Sequence, residues 1–475
     1  MAVDIRERLN SFYEKSDKKN TQPLKNINFG GISLDLTRNF ISREILVKMR
    51  SLLTLSKFSR KRKQLFDNKY ISHTESQRVS FVSYRNSISY QRDVDKMSRF
   101  CLKIKNKATG SHGNITISHI VHIGIGGSIL GPKFLSEALE DFKTNPFLTH
   151  FVSSGDLNEI SDLLKKIDVK KTIFIFVSKS FKTDETMRVK SYLDGYINKN
   201  YSEVASYIFK NHYVAITANK QLCKKHNFSE KNIFTFMKTL PGRFSVISPV
   251  NLINMLELGI DNYRKIIEGV KSMDSHFYKS NISNNLPVNL ALVNIWNINF
   301  LSKYANVIVP YSYRLRSLPD YLQQIEMESN GKSVTTNNEI TLNSTSPILF
   351  GSLGTECQHS FFQAIHQGTL DVYLDFIYLK TLNTDSKKFL ASNVFAQADL
   401  LFKGKKTREI HKSLIGSSPS NLIGVDKLSP DRVGKLISMY EHKVFVEGIL
   451  WSINSYDQWG VEEAKIQAKR NLAKI

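Results

Sequence analysis

The run His119-Ile120-Val121-His122-Ile123, its glycine loop Gly124-Ile125-Gly126-Gly127-Ser128 and the helical pattern from Leu130 to about Asp141 constrain the fold more than any other stretch. Strand, glycine loop and helix in that order make half of a β/α unit, and such a half needs parallel neighbours. Two follow. Thr172 to Val177 (TIFIFV) and His212 to Thr217 (HYVAIT) are apolar runs of strand length, spaced by helical patterns. Strands that are apolar throughout are covered on both faces, so the series predicts a mainly parallel sheet that takes its ligands at the carboxyl edge. Asn306 to Tyr311 (NVIVPY) reads as the first strand of a second α/β unit.

The loops behind these strands carry candidate chemistry. Backbone N–H groups and the Ser128 hydroxyl suit a phosphate at a positive helix end, although a tight turn explains the glycines equally well. Glycine is missing where a dinucleotide fingerprint needs it, at Ile129, and the Lys-Ser/Thr pair of a nucleotide P-loop is absent. Ser178, Ser180, Thr183 and Thr186 crowd the start of the helix that begins near Asp184. Capping by Thr183 or Ser180 uses one or two of these hydroxyls; the whole group suits a phosphate monoester. Arg243, in Pro241-Gly242-Arg243-Phe244-Ser245, projects from a turn ahead of a helix starting near Pro249. It is either a surface arginine or a group that binds phosphate or an oxyanion.

A single carboxylate stands out at Met327-Glu328-Ser329-Asn330-Gly331-Lys332. Leu318, Leu322 and Ile325 mark one face of the preceding helix, and Asn330-Gly331 ends it, so Glu328 sits in the last turn. The negative end of the helix dipole disfavours a carboxylate there, so local stability does not explain it, and from the local sequence alone it is either a solvated surface glutamate or a catalytic base. Further along, Gln358 to Thr369 (QHSFFQAIHQGT) reads as one helix ended by glycine, with His359 and His366 seven residues apart on a shared face. No third ligand stands at matching spacing, so zinc is not expected. The two histidines pack or cap, or one of them moves a proton. Lys465, in the terminal helical pattern, reads locally as a solvated lysine.

Composition narrows the function classes. With 41% hydrophobic and 23% charged residues over 475, the chain is an ordinary globular protein long enough for two or three cores. The amino terminus lacks the apolar core of a signal peptide, and the run Val444 to Ile453 is too short for a membrane span and reads as a buried helix. A cytoplasmic protein with no membrane partner is expected. Cys101, Cys223 and Cys357 match neither a zinc set nor a disulfide framework. The net charge of +23, from 66 basic and 43 acidic residues, is spread along the chain with no nucleic-acid motif. A local field for an anionic substrate is expected, and no nucleic-acid partner.

From about residue 90 to 470 the sequence resembles the glucose-6-phosphate isomerase (phosphoglucose isomerase) family. The resemblance rests on GIGGS at 124–128, SKSFKTDET at 178–186, PGRFS at 241–245, YLQQIEMESNGK at 321–332, QHSFFQAIHQGT at 358–369 and YEHKVFVEGILWSINSYDQWGVEEAK at 440–465. It implies an α/β fold of two doubly wound sugar-phosphate-isomerase (SIS-type) subdomains with mainly parallel sheets, plus helical N- and C-terminal arms. The expected divisions are a helical arm over 1–95, subdomains over 96–275 and 276–455, and a terminal helix over 456–475 that carries the site lysine. It further implies that Glu328 moves a proton between C2 and C1 of the sugar, that Arg243 steadies the enediolate, and that His366 and Lys465 assist ring opening. Gly127, Ser128, Ser178, Lys179, Ser180 and Thr183 would bind the phosphate, and Glu185, Gln324 and Gln458 would line the sugar site. No metal or cofactor is implied, and the protein would be a homodimer whose active sites take His366 from the neighbouring subunit. Ile129, Ser180, Lys182, Pro241 and Glu356-Cys357 depart from the common pattern, most of them in the phosphate loops.

Overall fold

Two sheets organise the chain, in a computed structural model that describes residues 24, 26–71, 78–108 and 117–474. The strands are β1 (Ile27–Phe29), β2 (Ile32–Arg38), β3 (His119–Ile123), β4 (Leu148–Val152), β5 (Thr172–Val177), β6 (Tyr213–Thr217), β7 (Ile233–Thr235), β8 (Ala305–Pro310), β9 (Ile348–Gly351), β10 (Val372–Leu379) and β11 (Ser420–Val425). The first sheet runs β4-β3-β5-β6-β7, parallel throughout. All six residues of β5 and all five of β6 are buried, which accounts for their unbroken apolar sequences. The chain leaves β3 toward β4 and leaves β5 toward β6, in opposite directions. A crevice therefore opens at the carboxyl ends of β3 and β5.

The second sheet runs β1-β2-β11-β10-β8-β9. β9, β8, β10 and β11 are parallel, and β2 joins the edge antiparallel to β11. This corrects the expectation of a purely helical arm over 1–95. Residues 27–38 form a hairpin, with Gly30 and Gly31 at φ +55° and +88° in its turn. Ile32, Leu34 and Leu36 alternate inward along β2, which is the pattern of a strand with one buried face.

Seven helices position the site: α1 (Leu130–Ala138), α2 (Asp184–Asn200), α3 (Leu252–Lys279), α4 (Leu286–Asn299), α5 (Leu318–Gln323), α6 (Pro430–Leu450) and α7 (Trp459–Leu472). Every residue of α4 and nearly every residue of α6 is buried, so the run expected as a buried helix over Val444 to Ile453 is core helix as far as Leu450, where α6 ends. Two asparagines of α4 find partners inside: Asn289 takes the Arg50 guanidinium, and Asn299 accepts from the Trp451 indole at 2.9 Å. No helix among the described residues is long and apolar enough to cross a membrane.

Candidate active site

A cleft of about 1400 Å³ opens where the carboxyl edge of the first sheet meets α5 and α7. Two loops of the first sheet form its floor. After β3, the glycine loop turns into α1 with Gly126 at φ +57°. Gly127 packs so closely on the Pro241-Gly242-Arg243 turn that an added Cβ would come within 2.5 Å of the Gly242 carbonyl carbon. Only glycine permits this backbone approach, which sets Ser128 beside Arg243. His122 braces the loop from beneath, its Nε2 2.7 Å from the Ser128 carbonyl oxygen. Burial lowers the imidazole to about 4, so the ring is neutral and donates that hydrogen bond.

After β5, the loop 178–183 enters α2. Ser178 and Thr183 share a hydrogen bond at 2.8 Å, the Phe181 amide donates to Ser178 Oγ at 3.1 Å, and the Lys182 amide donates to Ser180 Oγ at 3.2 Å. Thr183 is the N-cap of α2, yet its hydroxyl makes no capping bond to the helix. The helix's first N–H groups and its dipole are thus directed at the cleft, as for an anion. Ser178 is buried beneath the loop and does not line the cleft; it holds Thr183, which does.

The opposite wall comes from the segment after α5, where the helix widens into a π turn over Gln324–Glu328. Such turns recur at functional sites. Gln324 and Glu328 share a face, and the Gln324 amide donates to Glu328 Oε2 at 2.7 Å. Glu328 Oε1 lies 3.3 Å from Arg243 Nη1. Arg243 is 4% exposed and fully engaged: Nε donates to Ser329 Oγ at 2.6 Å, Nη1 to Gln458 Oε1 at 3.1 Å, and Nη2 to the carbonyls of Ser455 and Asp457 at 2.6 and 3.2 Å. A planar fork with this many fixed partners has one orientation, and one edge of it faces the carboxylate.

Gly127, Ser128, Lys179, Ser180, Thr183, Glu185, Arg243, Gln324, Glu328, Gln458 and Lys465 all line this one cleft. Lys465 reaches it from α7, where its ammonium lies 3.1 Å from Glu462. His366 does not line it. The helix expected over 358–369 is interrupted at His359–Phe361, leaving Gly354–Gln358 and Phe362–Gln367, so His359 and His366 do not share one helical face. His366 Nε2 instead meets Gln397 Oε1 at 2.7 Å.

Sequence reading missed several groups. Lys332 donates to the carbonyls of Glu328 and Ser329 at 2.7 and 2.8 Å and lies 3.6 Å from Asp457. Burial, followed by the nearby Arg243 charge, lowers its ammonium to about 8. Its position four residues after Glu328 was the available signal. Arg78, Lys182, Arg188, Lys238 and Lys469 add positive charge, so that eight cations and four carboxylates line the cleft among the described residues. An anionic ligand fits this balance. No His/Cys/Asp/Glu group able to hold a metal occurs among the described residues.

Comparison with known proteins agrees with the geometry. The family model described as phosphoglucose isomerase matches residues 35–475. A glucose-6-phosphate isomerase of Pseudoalteromonas atlantica is 36% identical over 481 aligned residues, covering 94% of this chain and 87% of the relative. One from Buchnera aphidicola is 37% identical, covering 92% of this chain and 85% of the relative. Among solved structures, a glucose-6-phosphate isomerase from Chlamydia trachomatis superposes with a TM-score of 0.89 at 27% identity, covering 98% of this chain and 95% of the other.

Proposed function

The chain belongs to the phosphoglucose isomerase family, and we propose that the cleft is the active site in which it interconverts glucose 6-phosphate and fructose 6-phosphate. The observation that carries this reading is the placement of the Glu328 carboxylate 3.3 Å from a fully engaged Arg243, in the same cleft as the hydroxyl-rich loop 178–183. In this reading Ser128, Lys179, Ser180 and Thr183, with Ser178 behind them and the amide of Gly127, hold the phosphate. The phosphate does not change during the reaction, so it supplies binding energy remote from the reacting carbons. Lys465 assists opening of the ring, and Glu185, Gln324 and Gln458 orient the open chain.

Glu328 then takes the proton from C2 of the aldose, the C1–C2 enediolate forms, the hydroxyl proton passes from O2 to O1, and the same carboxyl returns its proton to C1 to give the ketose. Arg243 offsets the negative charge that develops on the enediolate oxygens. The Gln324 amide fixes one carboxylate oxygen of Glu328 and leaves the other at the Arg243 edge, which supports a carboxylate aimed at one position. The chemistry is redox-neutral overall.

The same reading makes the protein a homodimer, with His366 completing the neighbouring subunit's site. Two features support this. His366 lies off its own chain's cleft, and the exposed apolar residue Ile415 is bonded beside it, its amide donating to the His366 carbonyl at 3.3 Å. A cytoplasmic location and the absence of a nucleic-acid partner belong to the same proposal. The test is an assay of the purified protein with fructose 6-phosphate, coupled to oxidation of the glucose 6-phosphate formed. Turnover is expected, and a folded protein without it would overturn the reading.

A further inference from the structure

On the reverse side of the Glu328 turn lies a second cluster of charges that the chemistry above does not use. Lys443, on α6, is 1% exposed and places its ammonium 2.7 Å from Glu326 Oε2 and 2.8 Å from Glu447 Oε1. Glu447 also accepts from the amides of Asn294 and Asn330, at 2.5 and 3.2 Å. Asn330 donates as well toward Glu326 Oε1 at 3.3 Å, and its Oδ1 accepts from Ser455 Oγ at 2.7 Å. The carbonyl of Ser455 is the 2.6 Å acceptor of Arg243 Nη2. An unbroken path of hydrogen bonds therefore runs from Lys443 to the guanidinium. The path needs Gly448, where a Cβ would fall 2.0 Å from Ser455 Oγ.

The path meets the site at Arg243 and, through the π turn, at Glu328. Glu326 and Glu328 are two residues apart in the π turn and point to opposite sides, one into the interior and the other into the cleft. Pinning the first from behind fixes the backbone that presents the second. Burial, followed by the adjacent Glu326, pushes the Glu447 carboxyl well above its ordinary range. Such a cluster costs desolvation, and a well-packed apolar cluster of the same volume would be at least as stable. Its use is therefore sought in geometry.

We propose that Lys443 and Asn330 are positioning residues of the isomerase: with Glu326, Glu447 and Ser455 they hold the Glu328 turn and the Arg243 guanidinium in register for the enediolate. The inference rests on the function proposed above. The glycine loop packs on the Arg243 turn, but the hydroxyl loop 178–183 stands across the cleft from the Glu328 turn, so ground-state binding of the phosphate depends less on the cluster than Glu328 and Arg243 do.

The test uses Lys443→Met combined with Glu326→Gln, which removes both charges at nearly constant volume, and Ser455→Ala, which breaks one link of the path. For each, kcat, KM for fructose 6-phosphate and the affinity of a phosphosugar hydroxamate, whose planar anionic head mimics the enediolate, are measured beside the melting temperature. The expected result for the double variant is a fall in kcat of roughly 10- to 100-fold, an equal loss of hydroxamate affinity and a KM within about threefold of wild type. Ser455→Ala should lose roughly threefold to tenfold in the same pattern, and it decides the matter if the double variant does not fold. Unchanged kcat, or equal losses in KM and hydroxamate affinity, overturns the proposal. Wild-type protein without isomerase activity would instead overturn the function on which it rests.

Discussion

Replacing Arg243 by lysine separates charge from shape at the centre of the site. The guanidinium serves Ser329, Gln458, the carbonyls of Ser455 and Asp457, and Glu328 from one planar fork at 2.6–3.3 Å. An ammonium has three protons, no fork and a shorter reach, so at least two of these buried acceptors lose their donor. At about 1–2 kcal/mol for each lost bond to a charged donor, the fold should weaken by about 2–4 kcal/mol. For 475 residues, unfolding entropy of about 2 cal/mol/K per residue makes that a fall of about 2–4 °C in Tm. The catalytic loss should be larger, because the fork edge facing Glu328 is where the enediolate charge develops. Losing one preorganised donor there costs about 10²–10³ in kcat, or about 3–4 kcal/mol. Arg243→Lys should therefore melt only slightly early yet lose at least a hundredfold in the coupled assay. A variant with kcat within tenfold of wild type would refute the reasoning, since positive charge alone would then suffice.

Thr183→Ala and Ser178→Ala should mainly raise KM, because they act on a phosphate that is the same in substrate and transition state; a fall confined to kcat would count against the phosphate loop. Inactive Glu328→Ala and His366→Ala chains, unfolded and refolded together, should recover activity up to about a quarter of wild type, since half of randomly paired dimers are mixed and half their sites intact. Dimers that stay inactive would remove His366 from the neighbouring site. Burial keeps His122 neutral down to about 4, against 6.5 in the unfolded chain, so the unfolded state takes up the proton first and stability falls as pH drops from 6.5 to 4, with no contribution above that window. His122→Gln, which keeps a donor for the Ser128 carbonyl, should lose about 2 kcal/mol less than wild type between pH 7 and 5 in denaturant titrations. Equal losses would show that His122 does not titrate as its burial requires.

Residues that act through local backbone were legible in the sequence; those that act through burial were not. The glycine loop after β3 and the hydroxyl loop after β5 could be read because each lies between a continuous apolar strand and a helix, and that order puts both at the carboxyl edge. Glu328 could be read because its helix end gives a carboxylate no local advantage. The hairpin of 27–38 carried a usable signal, Gly30-Gly31 beside the alternating Ile32, Leu34 and Leu36, but Lys/Arg-rich helical sequence follows it and the alternation is only three residues deep. The break at His359–Phe361 has no proline or glycine to mark it. Lys443 and Glu447 flank and interrupt a run that reads as a buried helix, but their spacing of four does not reveal what they meet inside. Only the packing of α4, α6 and the Glu328 turn around them makes them a buried cluster, and that packing joins segments more than a hundred residues apart.

The central claim, that this chain isomerises a phosphosugar by proton transfer at one carboxylate, is tested most directly by the turnover of Glu328→Gln with fructose 6-phosphate. The amide keeps the shape of the side chain and its place beside Gln324 and Arg243 but cannot accept the C2 or C1 proton. The account predicts kcat reduced by roughly 10³ or more with KM changed by less than about threefold. A folded Glu328→Gln enzyme that turns over within tenfold of wild type would contradict it.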